Sequence, residues 1–345
     1  MNQITDRLKQ MTPLQRAVYA LKETQTRLEA LEKKRVEPIA VVGMACRFPG
    51  EVNDPASFWQ LLRDGVDAIG EIPADRWNAD DYYDPDPASP GKMSSRSGGF
   101  LSRIDEFDNH FFGISDGEAL QMDPQQRILL ELVWETLEDA GIAPLQLRGS
   151  RTGVFVGISS SDYFLLISND ASQTNAYVAA GTSLCLASNR LSYALGLQGP
   201  SISLDTACSS SLVAVHLACQ QIRLGECDAA LVGGANLLLS PIGSINLTKA
   251  GFCSSDGRIR AFDAGASGYV RSEGVGMIML KPLSAALKDK DPIYSIIRGS
   301  ATNQNGSSNG ISAPSRLAQE QVLREAYARA QVSPGQVGFL ETQGT

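Results

Sequence analysis

Cys208 is the residue best placed to do chemistry. It lies in Asp205-Thr206-Ala207-Cys208-Ser209-Ser210-Ser211-Leu212. A short strand pattern, residues 201–204, precedes it. A helix pattern running from Ser209 to about Leu224 follows, with apolar residues around most of its circumference. That helix is expected to be buried. A thiol at such a junction meets the unpaired N–H groups and positive dipole end of the helix, which favour negative charge. A sharp strand-to-helix turn can expose a nucleophile while its own backbone N–H points at a developing oxyanion. Position alone leaves a second reading open, a structural buried thiol, which is the commoner fate of one cysteine.

The other candidates are weaker. Cys46, Cys185, Cys219, Cys227 and Cys253 form no C-x-x-C pair, and their spacing suits neither a zinc site nor a small disulfide scaffold. They read as buried or catalytic thiols in a reducing compartment. The chain has two histidines. His110, between Asp108-Asn109 and Phe111-Phe112, reads as a turn or packing residue. His216, on the helix after Cys208, reads as a core residue. There is no G-x-x-x-x-G-K-[ST], H-E-x-x-H or G-x-S-x-G, and Gly274-x-Gly276 is only a fragment of a dinucleotide fingerprint.

The net charge of −8, with no polybasic run beyond the first segment, argues against nucleic acid. No apolar run approaches the roughly 18 residues of a membrane span, and the N-terminus has no signal core. A cytoplasmic protein with no membrane partner is expected.

These candidates need elements to hold them. Residues 1–36 are net basic, unlike the acidic remainder. Thr12-Pro13-Leu14-Gln15 reads as a capping box with proline at the first helical position. Leu14, Val18, Leu21, Gln25 and Leu28 then follow a heptad seam. A helix this short is marginal alone, so a coiled-coil partner is expected, with packing on its own domain as the alternative. From Pro38 on, strand patterns at 39–44, 153–157, 201–204 and 229–233 alternate with helices starting at Asp123-Pro124 and Ser209, which implies a parallel, doubly covered sheet. Residues 78–100 read as an exposed excursion. Further strands are expected at 276–280, 293–297 and from Val337, with an amphipathic helix over 316–330.

With the elements in place, the Cys208 segment resembles the active-site signature of β-ketoacyl synthases (ketosynthases) of modular type I polyketide synthases. Supporting motifs cover residues 37–345. Among them are Gly43-Met44-Ala45-Cys46-Arg47-Phe48-Pro49-Gly50, Asp123-Pro124-Gln125-Gln126-Arg127, Asn189-Arg190-Leu191-Ser192-Tyr193, Gly268-Tyr269-Val270-Arg271-Ser272-Glu273-Gly274 and Asn303-Gln304-Asn305-Gly306. The resemblance implies a thiolase-like layered αβαβα fold, here its first half and the start of the second. It implies residues 1–36 as a coiled-coil docking or linker helix, and 37–345 as a ketosynthase domain truncated at its C-terminal side. It also implies a homodimer, and a docking role for residues 1–36 toward an upstream polyketide-synthase or hybrid-synthetase subunit. No cofactor or metal is bound directly. Substrates arrive on the phosphopantetheine of an acyl-carrier protein. Cys208 takes the acyl chain, its N–H forms part of the oxyanion hole, and a malonyl-type extender then condenses with it.

The sequence departs from the family at its end. Gln343, in Glu341-Thr342-Gln343-Gly344-Thr345, holds the place of the first catalytic histidine in a His-Gly-Thr-Gly-Thr motif. The second histidine and a lysine-bearing segment would lie beyond Thr345. A glutamine amide can donate a hydrogen bond to an oxyanion but cannot take up a proton. Gln343 is thus either a true substitution or a feature of a fragment, and a ketosynthase that only passes acyl chains is the alternative activity. Ser267 and Asn305 stand where acidic residues are common. The chain is not expected to complete a condensation cycle, and it is expected to expose surface that a second half would cover.

Overall fold

Strand β1, Ile39–Arg47, begins the sheet that carries the site. The computed structural model describes residues 12–168, 172 and 174–343. Residues 1–11 of the N-terminal segment and Gly344-Thr345 of the terminal motif lie outside them. The remaining strands of that sheet are β2 (Thr152–Ile158), β3 (Ser201–Leu204), β4 (Ala229–Asn236), β5 (Gly274–Pro282) and β6 (Ser295–Ile297). They lie side by side in the order β3-β2-β4-β5-β1-β6.

The sheet is mixed, not parallel as the alternation implied. β2 pairs parallel with β3 and β4, whereas β5 runs antiparallel to both β4 and β1. The chain leaves β4, folds helix and loop on the same edge, and re-enters at β5 from that edge. An antiparallel neighbour needs no crossover. Val337–Leu340 form no strand: Phe339 and Leu340 are exposed and lie beside no strand of the sheet.

Three layers result. After the short α2 (Pro55–Asp64), helices α3 (Pro124–Asp139) and α4 (Leu186–Leu195) cover one face, and α5 (Ser210–Leu224) covers the other. The pleat of β2 serves both. Val154 and Val156 join Leu129, Leu130 and Leu191 on the first face, while Phe155 joins Ala214, Ala218 and Cys219 on the second. Burial on both faces explains why β2 reads as a continuous apolar run. In contrast to the expectation for α5, only one side of it is buried. Leu212 is 75% exposed and Leu224 67%, because the sheet reaches one face of the helix and no further layer covers the other.

Helix α1, Pro13–Arg35, has the expected capping box. Thr12 Oγ1 accepts from Gln15 N–H at 3.3 Å, and Gln15 Oε1 accepts from Thr12 N–H at 2.9 Å. Leu14, Val18, Leu21 and Leu28 all stay exposed, so the seam does not pack on the domain. Residues 78–100 are less exposed than their turn chemistry suggests. Met93 is buried with Trp77 and Leu238 in a small satellite core, which ties the excursion down.

Asp123 caps α3 from inside the protein. Its Oδ1 accepts from Gln125 N–H at 2.8 Å and the carboxylate also meets the Gln125 amide. Burial pushes its pKa up to about 6, against the pull of those hydrogen bonds. The folded state therefore holds a proton that the unfolded chain, with an ordinary value of about 3.9, releases earlier. The associated stability is full below about pH 4 and is lost as pH rises through about 6. Asn at this position keeps an acceptor for the cap. Urea midpoints across this range should show Asp123→Asn gaining on the wild type by about 2 kcal/mol. A constant difference between the two would contradict the assignment.

Candidate active site

Cys208 sits past the carboxyl end of β3, the edge at which parallel strands open toward ligands. The elbow is built from its own backbone. Ala207 has φ +53°, a left-handed conformation that costs a non-glycine residue roughly 1–3 kcal/mol. A short 3₁₀ turn, Ala207–Ser209, then feeds α5. Asp205 holds the strained residue: its Oδ1 accepts from Ala207 N–H at 2.8 Å and from Ser159 Oγ–H at 2.6 Å. The Ser159 and Ala207 hydrogen bonds lower the Asp205 pKa, so the clamp stays anionic. Ser210 ties the two ends, accepting from Thr206 N–H at 2.9 Å and donating to Ala207 O at 2.7 Å.

Helix α5 must come down close to β2 for this turn to form. A Cβ on Gly157 would lie 2.7 Å from both Ser210 C and Ser211 N, which are backbone atoms that cannot swing away. Gly157→Ala should push the elbow outward, costing about 1–3 kcal/mol of stability. It should also slow acylation of Cys208 by about a hundredfold through misplacement of the thiol. Urea denaturation and adduct mass read the two effects; an unchanged acylation rate would reject the close-approach argument.

The elbow opens on a cleft of about 1010 Å³. Its wall comes from the same edge of four strands: Phe48 after β1, Ser159 after β2, Asn236 ending β4, and Tyr269 to Glu273 entering β5. Asn236 Nδ2 donates to Ser272 O at 2.8 Å, joining β4 to that entry segment. Glu273 anchors it from beneath. Its buried carboxylate accepts from Arg76 Nε and Nη2 at 3.0 Å each, from Leu101 N–H at 2.8 Å and from Leu238 N–H at 3.0 Å. Neither Ser159 nor the Arg76–Glu273 pair stood out in the sequence. The position of Ser159 just beyond a buried strand was the one available signal.

The thiols divide by exposure. Cys185 and Cys208 are exposed. Burial pushes Cys46, Cys219 and Cys227 up to about 11, and raises Cys253 as well. His216 is half-buried on α5, its Nδ1 2.8 Å from Ser300 Oγ, and burial lowers its pKa. It ties α5 to the segment after β6 and does not line the cleft. His110 is on the surface, 3.6 Å from Asp116. Gln343 is exposed and is not part of the cleft wall, so the structure does not bring it to Cys208. Among the described residues no cluster of His, Cys, Asp or Glu is arranged to hold a metal ion, and no helix is long and apolar enough to cross a membrane.

Comparison with known proteins bears on the same segments. The family described as beta-ketoacyl synthase, N-terminal domain, matches residues 36–286, and its C-terminal domain matches 294–345. The chain is 50% identical over its whole length to a phenolphthiocerol/phthiocerol polyketide synthase of Mycobacterium bovis, covering 19% of that protein. It is 50% identical over 90% of its length to a spectinabilin polyketide synthase system protein of Streptomyces orinoci, covering 14% of it. It thus spans a fifth or less of these relatives. Among solved structures, an oxazolomycin ketosynthase domain of Streptomyces albus superposes with a TM-score of 0.85 at 44% identity, covering 90% of this chain and 53% of that one. The ketosynthase from module 6 of the bacillaene synthase of Bacillus subtilis gives 0.82 at 41%, covering 90% and 51%. The strained elbow at Cys208, the cleft before it and the thiolase-like half-fold that carries them therefore belong together: this chain is a member of the β-ketoacyl synthase family, of the ketosynthase type found in modular polyketide synthases.

Proposed function

We propose that Cys208 accepts an acyl chain from the phosphopantetheine thioester of an acyl-carrier protein. The observation that carries this reading is an exposed thiol on a strained elbow facing a deep, mostly apolar cleft. The thiolate attacks the thioester carbonyl, a new C–S bond forms, and the pantetheine sulfur leaves and takes up a proton. The Cys208 N–H, in the first turn before α5, supplies a donor for the tetrahedral oxyanion. In the complete domain a malonyl-type extender loses CO₂. Its enolate carbon then attacks the acyl thioester, expels the Cys208 thiolate and leaves a β-ketoacyl product on the carrier. No cofactor of the protein's own takes part. Incubation with butyryl-S-pantetheine followed by intact-mass and peptide analysis tests the first step: a butyryl adduct on Cys208 is expected, and an adduct confined to other residues would refute it.

Gln343 favours a second reading, acyl transfer without condensation. An amide there can hold an oxyanion but cannot exchange a proton. In the full-length protein Gln343→His should then raise β-ketoacyl formation strongly, and an unchanged rate would reject the idea.

The assembly we propose is a homodimer. β3 is an edge strand whose outer side is unpaired among the described residues, with Ile202 39% exposed. Such an edge is a template for another strand. The exposed α1 seam offers a separate coiled-coil surface for an upstream synthase subunit. Sedimentation of the wild type should show a dimer that Ile202→Pro dissociates. A monomer at every concentration would exclude it.

A further inference from the structure

The cleft wall contains two charged side chains, Arg271 and Glu273. Glu273 is already neutralised by Arg76 in a buried two-point ion pair. Arg271 has no such partner. Among the described residues its side chain makes one hydrogen bond, Nη1 to Ser244 Oγ at 3.1 Å, and no carboxylate lies within ion-pair distance. Most of its N–H donors therefore remain unused. The guanidinium is nonetheless held in place. It lies against Gly243, where a Cβ would come within 2.8 Å of Nη1 and 3.1 Å of Nη2. Two residues away along the same entry segment, Tyr269 also lines the cleft. Tyr269 also lines a smaller adjoining pocket with Arg271, Ser244 and Cys253, and burial raises its pKa.

The result is a half-buried cation, without a counter-ion among the described residues, on the wall between the mostly apolar cleft that holds Cys208 and a smaller pocket lined by Ser244, Cys253 and Tyr269. Such a surface complements an apolar chain that carries one anionic oxygen group. We infer that Arg271 binds the anionic group of the incoming thioester, either the carboxylate of a malonyl-type extender or the phosphate of the pantetheine arm. This rests on the acyl-acceptor reading of Cys208 and assigns it a positioning residue. Arg271 fixes how far the thioester enters; it does not touch the reacting carbon.

The test measures how well ligands protect Cys208 from iodoacetamide, with Cys185→Ser as the common background. Two matched pairs of probes are compared: phosphopantetheine with pantetheine, and the amide-for-thioester analogues of malonyl- and acetyl-pantetheine. In at least one pair the anionic member should protect at about tenfold lower concentration than its neutral twin. Arg271→Gln should erase that difference, and Arg271→Lys, which keeps the charge without the fork, should retain part of it. Preference within the first pair assigns the phosphate, and within the second the carboxylate. Equal protection by both members of both pairs in the Arg271 protein overturns the inference, as does a preference that survives in Arg271→Gln. Butyryl transfer to Cys208 is scored separately. Failure of the acyl-acceptor reading would appear as a missing adduct, whatever the protection pattern.

Discussion

Cys208→Ala is expected to abolish acyl-adduct formation, a loss of more than about a thousandfold, because the nucleophile has no substitute within the cleft. Cys46 is the other thiol on the cleft wall, but it is buried and its pKa of about 11 leaves roughly one thiolate in several thousand at pH 7.5. Cys185 is the competitor that matters, since it is exposed at the start of α4. It does not line the cleft, so a small alkylating agent should label both Cys185 and Cys208, whereas an acyl-pantetheine should load Cys208. The informative set is the wild type, Cys185→Ser, Cys208→Ala and the double variant. Iodoacetamide should add two groups, one, one and none to the native proteins. Butyryl transfer should occur only where Cys208 is present. Acylation of Cys208→Ala at the wild-type rate would refute the assignment.

Glu273→Gln is expected to destabilise the fold by about 3 kcal/mol, because Arg76 loses its buried partner and keeps only the exposed Asp75 carboxylate, 2.9 Å from Nη1. The Glu273 side chain is fully buried and that of Arg76 is 3% exposed. Four donors converge on the carboxylate, two from Arg76 and one each from the Leu101 and Leu238 backbone. A carboxylate is acceptor-only and satisfies all four. A glutamine amide must turn its own N–H groups toward at least one of them. The Arg76→Met, Glu273→Met double variant should recover much of the loss, since paired removal leaves no buried orphan charge and only the exposed Asp75 loses a partner, but not all of it, because the two backbone N–H groups lose their acceptor. Urea midpoints of the four proteins close the cycle. A Glu273→Gln protein within about 1 kcal/mol of the wild type would show that the pair does not anchor the cleft wall.

Much of the local structure was legible in the sequence. The β3–turn–α5 unit follows from an apolar run, a group of small residues and a helical apolar period; β3 occupies 201–204 as expected and α5 begins one residue later. Thr12, Pro13 and Gln15 foretold the start of α1 because capping is settled within four residues. These features depend on neighbours in the chain, and local chemistry suffices to find them.

The misreadings share another cause. α5 has apolar residues on nearly every side, and composition cannot say which sides meet a partner; the sheet covers Ala214 and Ala218 and leaves Leu212 in solvent. The apolar run from Val337 lacks a neighbouring strand, and a strand exists only as one of a pair. The direction of β5 depended on which edge the chain re-entered, and no periodicity records that.

For Cys208, the sequence by itself determined the turn and singled out the thiol proposed as nucleophile, since residue type, small neighbours and the strand-to-helix change all lie within one short segment. Only the tertiary structure decided what surrounds that thiol. The edges of four strands, Ser159 against Asp205, the Arg76–Glu273 anchor, and Arg271 with no ion pair among the described residues come from positions tens to nearly two hundred residues apart. Their meeting depends on strand order and on which charges burial leaves with a partner, and both are properties of the packed sheet.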